Sequence, residues 1–311
     1  MNGIVVIDKP SGISSHSVVK KVQRQLRAEK AGHTGTLDPL ATGVLPVCLN
    51  EATKTVQFLI NDDKEYEVGL RLGIETDTQD VTGEVIAESD RIPENQNEII
   101  DVFDRFVGSI QQKPPAFSAL KHKGVPLYKL ARRGVQVENK ERTVIIFSLR
   151  IAAIDLPYVS FAVSCSKGTY IRTLCADIGR NLGCGAHLVR LRRTRSGKFR
   201  IEDALTIQEV EESVKKGAIE KHVIPMDKAL DNLSQIKVNN NMERKIKQGK
   251  QILLRDLQNI SLSRLQAGEK LRITSFKDDL IAVAESLVNY PLTNEICGQE
   301  TACRLIRVFN T

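Results

Sequence analysis

Hydrophobic and polar positions fall into two alternating periods along the chain. Gly3 to Ile7 is a short, wholly apolar run that predicts a strand, closed by the turn Asp8-Lys9-Pro10-Ser11-Gly12. Val18, Val22 and Leu26, with Val19 beside them, recur at helical spacing, so a helix capped by Ser14 or Ser15 is predicted to run to about Ala28. Lys20, Lys21, Arg24 and Arg27 lie off that stripe and read as a solvated face. Ala52, Val56, Leu59 and Ile60 form a second helical stripe. Tyr66, Val68, Leu70 and Leu72 then alternate with Glu67, Gly69 and Arg71, which is the period of a half-buried strand. Further strands are predicted at Glu84–Ala87, Val144–Ile154 and Val159–Cys165, and a helix at Ile99, Val102, Phe103 and Phe106. Ile171, Leu174, Cys175, Ile178 and Leu182 fit a helix with Thr169 as its N-cap and Gly183 as its stop. His187 to Arg200 reads as a strand, and a further helix lies between Glu202 and Gly217.

Two stretches break this rhythm. Asp231 to Asn241 is polar and marks a domain boundary, giving domains 1–235 and 236–311. Beyond it, short runs at Ile252–Leu254, Leu271–Ile273, Leu280–Ala284 and Arg304–Phe309, separated by turns, predict a small β-barrel. The other break is Gly32-His33-Thr34-Gly35-Thr36-Leu37-Asp38-Pro39-Leu40-Ala41-Thr42-Gly43. Its glycines and proline make it a shaped loop, and its only carboxylate, Asp38, is kept out of helical geometry by Pro39. A lone acid on a rigid loop between packed elements is a way to present a catalytic group, although Asp-Pro also occurs in ordinary turns.

Charge adds a partner. The 311 residues carry a net charge of +7, which favours a polyanion, nucleic acid first. The charge clusters. Lys121, His122, Lys123, Lys129, Arg132 and Arg133 crowd a segment predicted to protrude as a basic thumb over about 113–140 and to grip phosphates. Arg190, Arg192, Arg193, Arg195, Lys198 and Arg200 make the densest basic run, a strand edge facing either nucleic acid or acidic residues. Arg172, in the first turn of its helix, opposes the helix dipole and so calls for an anionic partner.

Composition narrows the chemistry further. The six cysteines include no Cys-x-x-Cys pair, and they read as buried thiols of a reducing compartment. Cys184-x-x-His187 is half a zinc site without a second half, and Asp77-x-x-Asp80-x-x-Gly83 lacks EF-hand spacing, so no metal is expected. There is no phosphate-cradling or dinucleotide fingerprint, and no apolar run of membrane-spanning length.

Four motifs carry a resemblance: the loop Gly32–Pro39, Lys64-x-Tyr66, Ser166-Lys167-Gly168-Thr169-Tyr170-Ile171-Arg172, and His187-Leu188-x-x-Leu191-Arg192-Arg193-Thr194. With Lys9-Pro10-x-Gly12 and Gln112-x-Pro114-Pro115 they resemble the TruB family of tRNA pseudouridine-55 synthases over residues 1 to about 230. The C-terminal strand-and-glycine pattern is similar to a PUA domain. The resemblance implies an α+β fold: a mixed, mainly antiparallel sheet flanked by helices, a basic thumb insertion, and a PUA-like barrel. It implies isomerisation of a T-loop uridine of tRNA to pseudouridine, without metal or organic cofactor. Asp38 matches the nucleophile, Arg172 its partner, and His33, Tyr66, Tyr170 and Leu191 the uridine site. Lys9 and Asp80 are placed with Arg172 as supporting residues, and Lys121, Lys123, Lys129, Arg132, Arg133, Arg192 and Arg193 as RNA-binding ones.

These residue types suit that chemistry. A carboxylate can act covalently, but it must be ionised in a dry pocket; burial raises its pKa and a facing guanidinium lowers it. Everting the base costs on the order of a few kcal/mol, which stacking on Tyr66 would offset. The enzyme is expected in the cytoplasm as a monomer, with tRNA its partner and no membrane contact. The rival reading is a non-catalytic RNA-binding or tRNA-folding protein of the same fold. It needs no carboxylate in an RNA-facing pocket.

Overall fold

The computed structural model describes residues 1–115, 117, 121–122, 124–127, 130, 133, 135, 140–257, 264–290 and 300–310. A nine-stranded sheet dominates it. Its strands are β1 (Gly3–Lys9), β2 (Ala31–His33), β3 (Thr42–Leu49), β4 (Lys64–Leu72), β7 (Gly108–Gln112), β10 (Arg142–Asp155), β11 (Tyr158–Cys165), β12 (Ala186–Ser196) and β13 (Phe199–Arg200). The path is β1-β3-β12-β4-β11-β10-β7, with β2 on β3 and β13 on β12. Every pairing is antiparallel except β12 on β3. Two small ladders lie apart: β5 (Ile74–Thr76) with β6 (Val85–Glu88), and β8 (Lys121–His122) with β9 (Val125–Pro126).

β1 shows why its run is apolar throughout. Val5 and Ile7 join one core with Val18, Val19 and Val22 of helix α1 (Ser15–Gln25), while Ile4 and Val6 join another on the opposite face. A strand covered on both sides has no polar face to alternate with. β4 and β11 bury one face only, under helices α2 (Gln96–Arg105) and α3 (Ile171–Asn181), where Phe103 meets Phe161 edge-on at 5.2 Å. Helix α4 (Ile207–Lys215) starts in a capping box between Thr206 and Glu209 and packs Val210 beside α1.

A second, five-stranded sheet is ordered β14 (Ser234–Lys237), β16 (Lys270–Thr274), β17 (Leu280–Ser286), β18 (Thr301–Val308), β15 (Ile252–Leu253), with helix α5 (Asn240–Lys247) against it. It does not hang free. Leu280, Val283 and Phe309 are buried in the core that holds Ile4, Val6, Val44 and Cys48. Each such side chain contributes about 1.5–3 kcal/mol on burial, so the two sheets share a seam. The polar stretch 231–241 is not a bare linker, since β14 of the second sheet lies within it.

Local expectations needed adjustment at several ends. Ser14 is the N-cap of α1, accepting from the Ser17 amide, and the helix stops at Gln25 because Arg27 takes φ +49. The N-cap of α3 is Tyr170, not Thr169, whose hydroxyl donates instead to Ser166 O. The strand expected over His187 to Arg200 is cut at Ser196 by Gly197, at φ +59. Of the cations expected to form a thumb, Lys123, Lys129 and Arg132 lie outside the described residues; Lys121 is placed in β8 and Arg133 is exposed.

Candidate active site

The loop from Thr34 to Ala41 is bound to its surroundings on every side. Leu37 and Ala41 are buried in the core under the sheet, and the N-terminal segment adds the polar restraint. The Ser15 hydroxyl donates to Leu37 O at 2.9 Å and accepts from Leu37 N at 2.8 Å. Gly12 N donates to Pro39 O at 2.8 Å, and the Ser11 hydroxyl to Leu40 O at 3.1 Å. Lys9, fully buried, spreads its ammonium over Pro10 O, Pro39 O and Ala41 O at 2.9, 3.2 and 2.6 Å. Burial lowers its pKa to about 8, against the pull of Asp38.

The other side of the loop is held by β12. Arg193 is 1% exposed and donates from Nε to Val44 O at 2.7 Å and from Nη2 to Gly35 O at 3.0 Å. This corrects its placement among RNA-binding residues: a guanidinium shut inside the sheet cannot meet a phosphate. Gly43, at φ +99, makes the approach possible, since a Cβ there would lie 2.1 Å from Arg193 O. Arg192 points the other way and forms a two-pronged pair with Asp8 at 2.8 and 3.1 Å. Arg190 pairs with Glu67 and Arg195 with Glu65. β12 is an interior strand, and its outward arginines are met by acidic residues of β1 and β4.

Asp38 is left with one oxygen against Arg172, Nε to Oδ2 at 2.9 Å. Nε is sealed from solvent but not aimed along a hydrogen bond, so the contact is an ion pair. The rest of the guanidinium is fixed, Nη1 donating to Thr78 O at 3.0 Å and Nη2 to Phe117 O at 2.8 Å. Desolvation by the cleft raises the pKa of Asp38, and Arg172 pulls it back. Asp38 keeps 36% of its side chain exposed, which leaves its carboxylate open to a ligand. Asp80, 3.6 Å from Arg172 Nη1, accepts from Thr78 Oγ1, Thr82 N and Thr82 Oγ1 at 2.8, 2.9 and 2.5 Å.

Four further side chains are the ones the sequence assigned to the uridine site. Tyr66, on β4, is half-buried beside Arg193, and burial raises its pKa, so the phenol stays neutral. His33 ends β2; burial and then Arg193 lower its pKa, and its Nδ1 accepts from Gly35 N at 3.3 Å, which places the proton of the neutral ring on Nε2. Leu191 is buried on β12. Tyr170 caps α3 beside Arg172.

Sequence reasoning passed over what holds Tyr170. Gln112 is buried and grips its backbone, accepting from Tyr170 N at 2.7 Å and donating to Tyr170 O at 3.0 Å. Arg142, opposite Gln112 in the β10–β7 ladder, lays its guanidinium 4.7 Å from the centre of the Tyr170 ring. Cys184 and His187 bond to the carbonyls of Gly185 and Ile74, not to each other.

A carboxylate held bare in front of a fixed guanidinium, on a loop this restrained, defines an enzyme that works through a side-chain acid. Comparison with known proteins supplies the family. The N-terminal domain of the TruB-family pseudouridylate synthases matches residues 23–171, and the tRNA pseudouridylate synthase B C-terminal domain matches residues 172–231. The tRNA pseudouridine synthase B of Geobacter sulfurreducens is 43% identical, covering 100% of each chain. That of Syntrophotalea carbinolica is 52% identical over 68% of this chain and 69% of its own. A solved Cbf5–Nop10–Gar1 complex superposes with a TM-score of 0.76 at 31% identity, covering 99% of this chain and 85% of that one. The chain belongs to the TruB family of pseudouridylate synthases.

Proposed function

We propose that this protein isomerises a uridine of tRNA, position 55 in the T loop, to pseudouridine, with Asp38 acting on an everted nucleotide. The observation that carries the reading is the Asp38–Arg172 ion pair at 2.9 Å, with the acid still open to the cleft. Family membership and the names of the relatives support the same substrate.

The reaction breaks the bond from ribose C1′ to uracil N1, turns the base, and joins C1′ to C5. The proton leaves C5 and N1 gains one, so nothing is consumed. Arg172 keeps Asp38 ionised as the nucleophile against the burial that would protonate it. Tyr66 serves as a stacking ring with a neutral phenol rather than as a phenolate base, since burial raises its pKa. Leu191 supplies an apolar wall, Tyr170 the pocket mouth, and His33 fills the place in the RNA loop that the everted base vacates. Residues 113–140 act as the thumb on the RNA backbone, and the C-terminal sheet as a PUA-like RNA-binding domain. One chain suffices, and the five buried free thiols among the described residues fit the reducing cytoplasm.

The test is incubation with an unmodified tRNA transcript and chemical mapping of pseudouridine. A single product in the T loop is expected, and Asp38→Asn should retain binding and form none. Turnover by that variant would overturn the assignment. Retained binding with no turnover by the wild type would favour the non-catalytic rival.

A further inference from the structure

From the pairing of its basic residues we infer that helix α1 carries a track for the phosphates of the substrate RNA, leading away from the catalytic loop. This rests on the RNA-modifying reading above and adds a surface to it.

β12 looks like the RNA contact from sequence, yet all four of its arginines are paired: Arg190 with Glu67, Arg192 with Asp8, Arg195 with Glu65, and Arg193 with buried carbonyls. α1 shows the opposite pattern. His16, Lys20, Arg24 and Arg27 are all exposed, and among the described residues none has a carboxylate partner; Lys20 touches only the Gln23 amide oxygen, at 3.2 Å. His16, Lys20 and Arg24 stand four residues apart, so they share one flank of the helix.

That flank begins beside the active site. Ser15 at its start binds both backbone groups of Leu37 next to Asp38, and His16 lies near enough to help lower the pKa of His33. The eleven residues of α1 extend the flank for about 16 Å. Lys21 lies on the other flank, in a cavity of 610 Å³ with Glu211, Glu212 and Lys215, where its charge has acids nearby. An uncompensated row of cations that begins at a cleft for a polyanion is complementary to one occupant, the RNA backbone.

The experiment is equilibrium binding of an unmodified tRNA transcript at several salt concentrations. Removing one phosphate contact lowers the slope of log K against log salt by about 0.7–0.9. Lys20→Gln/Arg24→Gln should therefore lower it by roughly 1.4–1.8, and Lys20→Glu/Arg24→Glu should weaken binding further at every salt. Lys21→Gln should leave the slope as it is. An unchanged slope in the double variant, or an equal fall in Lys21→Gln, would overturn the track. A wild type that forms no pseudouridine would sink the earlier reading instead, whichever slopes are found.

Discussion

Two loops bring an aspartate to the same guanidinium, and they use it differently. On the loop of residues 77–83, Asp80 accepts three hydrogen bonds from Thr78 and Thr82 and stands 3.6 Å from Arg172. On the loop of residues 32–43, Asp38 stands at 2.9 Å and, among the described residues, takes no comparable set of donors. In the second loop the donors are spent on the backbone around the acid: Lys9, Ser11, Ser15 and Arg193 all bind carbonyls of Gly35 to Ala41 or of Val44. A carboxylate saturated with hydrogen bonds is structural. One that is positioned through its backbone and left bare can react.

The largest effect separates the two acids. Asp38→Asn should cut pseudouridine formation below about a thousandth of wild type. Its melting temperature should hold or rise: the folded pKa of Asp38 lies above its ordinary value, so the ionised form opposes folding once pH climbs through that folded pKa. Asp80→Asn should do the reverse, keeping measurable turnover while stability in urea falls by about 1–3 kcal/mol. If both variants lost activity alike with stability untouched, the distinction would fail.

Next in size is the group between them. Arg172→Lys keeps a cation but not the fork that reaches Thr78 O, Phe117 O and Asp38 together. We expect roughly a hundredfold loss in kcat. Arg172 opposes the upward shift of Asp38, so weakening it moves the acid limb of the pH–rate profile to higher pH. An acid limb that stays in place, measured in single turnovers, would mean that Arg172 does not set the charge of Asp38.

The parts of this site differ in how far sequence could show them. Asp38 was legible because glycine, proline and one acid in a row describe a loop without reference to anything distant. Arg193 was misplaced because its partners are 149 and 158 residues away. It does share strand parity with Leu191, a core residue, and that would have turned it inward. The bulge between Arg193 and Arg195 then reverses the parity and puts Arg195 on Glu65. Gln112 was named only as part of a motif and Arg142 not at all, because each acts on Tyr170 across a ladder. The fold read more easily, since the covering of β1 on both faces and of β4 on one is written in their periods. What periods cannot state is that the C-terminal sheet shares a core with β1 and β3.

The smallest expected effect sharpens the contrast between the loops through pH. The loop of Asp80 is held by threonine hydroxyls, which do not titrate in the range of assay. The loop of Asp38 is held by Lys9, whose pKa burial lowers from 10.5 to about 8. Below pH 8 the ammonium offers three protons to three carbonyls; above it the amine offers two. Activity should therefore decline through a midpoint near 8 as the clamp on Pro39 and Ala41 slackens. Stability should not follow it down. A lysine with a depressed folded pKa opposes folding most while charged, and that cost is relieved between about pH 8 and 10.5. The two curves should part, with kcat falling while the contribution of Lys9 to the urea midpoint rises. Lys9→Met should be slower at pH 7 and should lack the alkaline limb. A limb that persists in Lys9→Met would assign it to another group and leave both loops equally indifferent to pH.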